Sequence, residues 1–245
     1  MKNYHSTERF SDRAAAYATN RPGYPAESVD AIFAGLGDPR ALSVADIGAG
    51  TGISSRLFAA RGATVMAVEP NAKMRGAASG DERVFWQEGT AEDTGLADQS
   101  VDIAVACQAF HWFANEAAMT EFRRIATRRA GMLQYERDER DPFTKEYGDI
   151  MRAYATDDTE KLRMHALGIF ERYPNARVTR THAFLRQHVD EAGFLGRAAS
   201  SSYAPTEGAA GDAFRNELHA LFAKYQRDGF VDIAMVTNAL TADFL

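Results

Sequence analysis

The chain has 245 residues, 45% of them hydrophobic and 25% charged, enough apolar material for a sizeable core in one domain or in a domain with an elaborated lid. Its net charge of −6 argues against a nucleic-acid partner, whose phosphates call for a basic surface, and favours a small-molecule ligand. Cys107 is the single cysteine, so no intrachain disulfide can form; without a signal-peptide-like start or a run near the ~18 apolar residues of a membrane span, a cytoplasmic monomer or homodimer with no membrane contact is expected.

In chain order, residues 26–35 carry the first helical pattern. An apolar run over 42–47 reads as a buried strand and passes into Gly48-Ala-Gly-Thr-Gly52, where glycines let the backbone turn sharply and come close to a ligand. A helix over 53–60, a strand over 64–68 ending at Glu69, and a helix over 72–78 introduced by Pro70 follow. Next come a strand over 84–87, an acidic loop over 88–93, a strand over 101–107 and an aromatic cluster over 108–113. A helix over 116–127, capped by Asn115, and a strand over 131–135 complete this part. Such alternation predicts a parallel sheet covered on both faces. Ligands of these sheets bind at the carboxyl ends of the strands, so Asp46, Glu69 and the loops 88–93 and 108–113 are expected to line one crevice.

The loop differs from a dinucleotide fingerprint in spacing. Gly48 and Gly50 match Gly-x-Gly-x-x-Gly, but the third position falls on Ile53, and Gly52 comes one residue too early. Asp46 would repel a pyrophosphate and attract the ammonium of an amino-acid moiety, while Glu69 lies at the distance where a carboxylate accepts both hydroxyls of a ribose. This fits S-adenosylmethionine and fits NAD poorly. In the acidic loop, Thr90, Glu92 or Asp93 could receive an adenine; the same residues also form an ordinary polar turn. In the aromatic cluster, Phe110, Trp112 or the earlier Tyr17 could face a sulfonium, and His111 could take a proton from an acceptor. Aromatic residues after a buried strand also pack under the next helix. Alignment and exclusion of water can carry methyl transfer without a dedicated base.

Taken together, Asp46-x-Gly-x-Gly-x-Gly52, Glu69-Pro70, Gly89-Thr-Ala-Glu92 and Gln108-Ala-Phe-His-Trp-Phe113 resemble the class I S-adenosylmethionine-dependent methyltransferases, in particular the type 11 group. Tyr17-Ala-Thr-Asn-Arg21-Pro-Gly-Tyr-Pro25 is similar to the entry segment of its trans-aconitate-methyltransferase-like members. The resemblance implies contacts to the methionyl end of the cofactor from Asp46, Gly48, Tyr17 and Arg21, to the ribose from Glu69, and to the adenine from Ala91 and Glu92. Ala49, Gly50, Pro70, Met74, Thr90, Gln108 and Ala109 complete the candidate cofactor set. It also implies a Rossmann-like seven-stranded, mostly parallel sheet whose last strand is antiparallel, with residues 231–237 as that strand and 181–189 as its neighbour. One departure is visible: the group's Pro-Gly-Gly turn before the fifth strand is replaced by Thr127-Arg-Arg-Ala-Gly131. Arg123, Arg124, Arg128 and Arg129 read as exposed cations at a helix C-terminus, where the macrodipole favours them.

Residues 1–137 thus read as a cap segment and cofactor-binding core, 138–180 as a helical substrate lid, and 181–245 as the completion of the sheet. Phe143, Tyr147, Met151, Tyr154, Met164 and Phe170 in the lid suit packing, with Tyr147 and Met151 as candidate substrate contacts beside Phe110 and Trp112. Phe214, Leu218, Leu221, Phe222 and Tyr225 share one face of a helix over 214–225. The expected activity is methyl transfer from S-adenosylmethionine to a small molecule, onto oxygen, with no metal site. A carboxylate acceptor paired by Arg21, Arg152 or Arg163 is one option. A cofactor-binding protein without turnover and a nicotinamide-dependent oxidoreductase are the rival readings.

Overall fold

The computed structural model describes residues 23–205 and 207–245, so Tyr17 and Arg21 lie outside the described residues. Its centre is a seven-stranded sheet: β1 (Ser43–Ile47), β2 (Thr64–Val68), β3 (Val84–Gln87), β4 (Val101–Cys107), β5 (Ala126–Arg137), β6 (Ala176–Asp190) and β7 (Phe230–Phe244). The order is β3-β2-β1-β4-β5-β7-β6. The first five strands pair in parallel, and β7 runs antiparallel to both β5 and β6, as expected for the last strand. β1 and β4 are the most deeply buried and read as nearly continuous apolar runs, because helices cover both faces.

The helices are α1 (Ala26–Phe33), α2 (Ile53–Ala59), α3 (Ala72–Gly76), α4 (Glu116–Ile125), α5 (Pro142–Ala153), α6 (Thr159–Phe170), α7 (Glu191–Ala199) and α8 (Gly208–Tyr225). Their starts follow side-chain chemistry that satisfies the first free amides. Asn71 caps α3 by accepting from Lys73 N and Met74 N, Asn115 caps α4 through Ala118 N, and Asp141 caps α5 through Thr144 N. Three apolar clusters pack against the sheet. Under α4 and α6, Phe110, Phe122, Phe170 and Met132 pack together; beside β5 and β7, Tyr147, Met151, Phe194, Phe214 and Leu218 join α5, α7 and α8; and across the central strands, Ile32, Phe33 and Phe58 of α1 and α2 pack on Val44 and Val105. Phe214, Leu218, Leu221 and Phe222 of α8 face inward as the helical period requires.

Three boundaries depart from the sequence reading. The fourth connecting helix ends at Ile125 and passes directly into β5 at Ala126, five residues before the expected start. No turn stands where the family motif would place one. Gly131 lies inside β5, and a Cβ there would come 3.1 Å from Ile32 Cδ1 and 3.1 Å from Val105 Cγ2, so the glycine serves close packing against α1 and β4. β6 starts at Ala176, inside the expected lid, and both β6 and β7 are 15 residues long. Their alternating polar and apolar residues continue past the runs 181–189 and 231–237, which kept only the most apolar stretch of each.

The arginines after α4 also differ from a solvated set. Arg129 is 4% exposed. Its Nη1 donates to Ile32 O at 2.7 Å, Nη2 to Ala34 O at 2.9 Å and Nε to Asp243 at 2.6 Å, so it caps the free carbonyls at the end of α1 and pins them to β7. Arg124 donates to Glu121 and Asp98 on the outer side.

Candidate active site

A cavity of about 200 Å³ opens at the carboxyl ends of β1, β2 and β4. Its floor is the glycine loop. Gly48, Gly50 and Gly52 have φ of 71°, 60° and 74°, the left-handed region that favours glycine. A Cβ on Gly48 would come 2.8 Å from Ala109 Cβ, and one on Gly50 3.3 Å from Met74 Cε, so side chains there would fill the cradle. The loop is held by β2: Gly48 N and Ala49 N donate to Val68 O at 2.8 and 3.1 Å.

Glu69 closes one wall. Its Oε2 accepts from Gly50 N and its Oε1 from Asn71 N, each at 2.9 Å. Each oxygen keeps lone-pair capacity toward the cavity that the residue borders. Burial pushes this carboxyl above its ordinary value, against the lowering effect of the two amides and Arg75. The acidic loop forms the next wall, with Thr90, Ala91 and Glu92 on the cavity. Glu92 is steadied by Asn115 Nδ2 at 2.9 Å, and Thr94 N and Oγ1 both donate to Glu121, fixing the loop to α4.

Gln108 and Ala109 begin the remaining wall, where Trp112, Phe113, Tyr24 and Tyr135 supply aromatic surface. Gln108 has φ 53°, a left-handed conformation uncommon for a non-glycine residue. Its backbone N–H donates to Leu133 O and its Nε2 to Tyr135 O, each at 2.8 Å, which fixes the side chain and leaves Oε1 buried without a hydrogen bond among the described residues. An orphaned acceptor on a cavity wall suits a ligand that brings a donor.

The structure therefore gathers Gly48, Ala49, Gly50, Glu69, Pro70, Met74, Thr90, Ala91, Glu92, Gln108, Ala109 and Trp112 around one cavity. It places five other candidates elsewhere. Asp46 is fully buried beneath the loop, where its Oδ2 accepts from Ser54 Oγ at 2.7 Å and Ser55 Oγ at 2.6 Å; it points at the start of α2, not into the cavity. Phe110 packs edge-on against Phe113, Phe122 and Phe170 in the core. His111 is 5% exposed beside the Trp112 ring and does not border the cavity. Tyr147 and Met151 face Phe194 and α8 in the second apolar cluster. The last four follow the packing alternative, because the short helical turn Phe110–Trp112 and α5 direct these side chains inward, whereas Asp46 is turned by the hydroxyls of Ser54 and Ser55. Tyr24, Phe113 and Tyr135 were not singled out as ligand contacts. Tyr135 could have been found, since it ends the apolar core of a strand whose carboxyl end faces the crevice.

Residues 45–133, spanning β1 to β5 up to Leu133, match the methyltransferase domain family. Residues 45–133 thus form a methyltransferase domain, set on the class I methyltransferase fold. An uncharacterized methyltransferase of Mycobacterium tuberculosis is 34% identical over 148 residues, which cover 58% of this chain and 58% of that protein. An uncharacterized methyltransferase-like protein of Schizosaccharomyces pombe is 30% identical over 152 residues, 60% of this chain and 59% of its own length. The chain thus matches less than two thirds of these relatives. A crystal structure from Anabaena variabilis, described as a methyltransferase from an antibiotic biosynthesis pathway, aligns with TM-score 0.64 and 25% identity over 87% of this chain and 96% of that one. A SAM-dependent methyltransferase of Aquifex aeolicus shares the fold with TM-score 0.52 and 14% identity, over 94% of this chain and 97% of that one. Class I methyltransferases take S-adenosylmethionine, and the residues here fit that group: an acid at the end of β2, a glycine cradle with no room for side chains, and aromatic surface for a sulfonium. Among the described residues no helix is long and apolar enough to cross a membrane.

Proposed function

We propose that this methyltransferase moves the methyl group of S-adenosylmethionine to an oxygen of a small-molecule acceptor. The observation that carries the reading is the pairing of two unlike walls in one cavity, the Glu69 carboxylate on one side and Trp112, Phe113, Tyr24 and Tyr135 on the other. A molecule with a hydroxyl-bearing sugar and a cationic sulfur satisfies both walls.

In this reading Glu69 accepts the two ribose hydroxyls, and Ala91 with the neighbouring loop backbone borders the adenine. Gly48, Gly50 and the Gln108 Oε1 atom face the amino-acid end. Asp46 acts from below, by fixing Ser54 and Ser55 at the start of α2. Bound there, S-adenosylmethionine supplies an electrophilic methyl group suited to in-line displacement. The chain's own task is to align the acceptor and exclude water, with α5 and α6 as the cover on the acceptor side. No base is assigned, since His111 stands off the cavity.

Calorimetry of the purified protein with S-adenosylmethionine, S-adenosylhomocysteine and NADH tests the cofactor, and S-adenosylhomocysteine release over small acids, phenols and amines tests the reaction. Binding of the first two ligands with turnover of an oxygen acceptor is the expected result. Binding of NADH alone, or of none of them, overturns the reading.

A further inference from the structure

Beyond Tyr135, β5 continues to Arg137, which projects on the same side of the sheet. Arg137 is loosely engaged. Its Nη1 donates to Tyr203 Oη at 3.3 Å and its Nη2 to both Glu160 oxygens at 3.3 Å, while its Nε has no hydrogen bond among the described residues. Glu139 is 3.7 Å from that Nε and is held by Arg152 at 2.5 Å instead. From α6, Arg163 brings a second guanidinium whose Nε is buried without a hydrogen bond among the described residues. From α7, Arg197 lies 5.7 Å from the centre of the Tyr135 ring, and Tyr135 borders the cofactor cavity.

Arg137 donates to the Tyr203 hydroxyl, Gln134 of the same strand reaches the Arg163 carbonyl at 3.5 Å, and the charges of Arg163 and Arg197 act on the phenol as well. Burial pushes the Tyr203 phenol up, yet the guanidiniums of Arg137, Arg163 and Arg197 outweigh it and leave the phenol below its ordinary value. The carboxylate of Glu160 already sits among the arginines, 3.3 Å from Arg137 and 3.3 Å from Arg152 and half exposed. Charge-assisted bonds of this kind close to roughly 2.7–2.9 Å when well made. Glu160 is therefore a loosely held resident anion, the kind of group an incoming carboxylate or phosphate replaces.

We infer that Arg137 and Arg163, beside Tyr203, hold an anionic handle of the methyl acceptor, a carboxylate or phosphate that is not itself methylated. The inference rests on the methyltransferase reading above and adds the substrate class. The anion is a handle because Arg137, Arg163, Arg197 and Tyr203 all stand outside the cavity lining. An oxygen whose lone pairs are shared with guanidinium is also a poor nucleophile. The reacting atom lies on the inner side of Tyr135 and the charge on the outer side.

The test is calorimetry of the full chain at fixed ionic strength with inorganic phosphate and, separately, succinate. Saturable binding of at least one probe is expected, and the tighter one identifies the handle. Arg163→Gln weakens that binding by about tenfold or more, Glu160→Gln tightens it several-fold, and Arg172→Gln, in the turn just past the end of α6, leaves it unchanged. S-adenosylhomocysteine affinity stays constant across the three variants. Two results overturn the inference: no saturable binding of either probe to the Glu160→Gln protein, or equal affinity in the Arg163→Gln and unaltered proteins. If S-adenosylhomocysteine does not bind while both probes behave as expected, the cofactor reading falls and the anion site stands.

Discussion

Glu69 and Gly50 are joined by a hydrogen bond of 2.9 Å from the Gly50 amide to Oε2, so the end of the second strand holds the ligand loop of the first. The same carboxylate accepts the Asn71 amide at the cap of α3. One side chain thus shapes the loop and presents lone pairs to the cavity. Glu69→Ala removes both roles. S-adenosylhomocysteine affinity is expected to fall at least about tenfold, and stability by about 2 kcal/mol, the scale of losing hydrogen bonds to a buried charged acceptor. Calorimetry and urea unfolding measure the two losses separately.

Asp46 gives the fold a pH dependence of known sign. Burial raises its carboxyl to about 6 from 3.8, against the lowering effect of Ser55 and Ser54, with the Glu69 charge adding to the rise. The native chain then binds this proton more tightly than the unfolded chain, so the group's contribution is lost as pH rises from about 4 through about 6. Asp46→Asn does not titrate. Its urea stability relative to the parent should climb across that window and level off above it, by up to about 3 kcal/mol. Parallel profiles for the two proteins would show that Asp46 does not titrate there.

Gly48→Ala tests the cradle. The new Cβ meets Ala109 Cβ at 2.8 Å on a backbone with φ 71°. Strain and overlap should cost about 2–4 kcal/mol and narrow the cavity. Gly35→Ala, with φ 78° and nothing within 4 Å of its Cβ, carries the conformational cost alone, about 1 kcal/mol. Thermal unfolding of the two variants separates these terms, and only Gly48→Ala should lose ligand binding.

In the proposed reading, Trp112 should distinguish a charged sulfur from a neutral one. An aromatic face attracts a cation by roughly 0.5–2 kcal/mol, and S-adenosylhomocysteine lacks that charge. Trp112→Ala should therefore weaken S-adenosylmethionine more than S-adenosylhomocysteine, by about twofold to thirtyfold in the ratio of dissociation constants. Equal weakening of both would assign Trp112 to packing.

The first five strands were legible because each is an apolar run punctuated by glycine, proline or a capping residue, and the loop from Gly48 to Gly52 announced its own turn. The cavity walls followed from the rule that ligands gather at the carboxyl ends of parallel strands. Sequence places Asp46 on a strand and cannot say which way a buried carboxylate turns; Ser54 and Ser55, in the first turn of α2, decide it. Arg129 looked solvated because its partners, the carbonyls of Ile32 and Ala34, lie about a hundred residues away in sequence and carry no side-chain signature. Tyr147 and Met151 kept the helical spacing of a packed face, and that bland meaning prevailed. The arginines around Tyr203 come from β5, α6 and α7, so no local motif foretold their meeting.

Strand β7 lies between β5 and β6, with residues 129–137 of β5 and all of β6 zipped to it. Neither edge can be closed during synthesis until residues 230–244 have left the ribosome. Strands β1 to β4 pair with one another using no residue beyond Cys107, whereas the β5, α6 and α7 segments that carry Arg137, Arg163 and Arg197 take their final places late. A nascent chain halted before Phe230 would thus lack the strand that Tyr135 and Arg137 are paired with, and with it one side of the cavity's support.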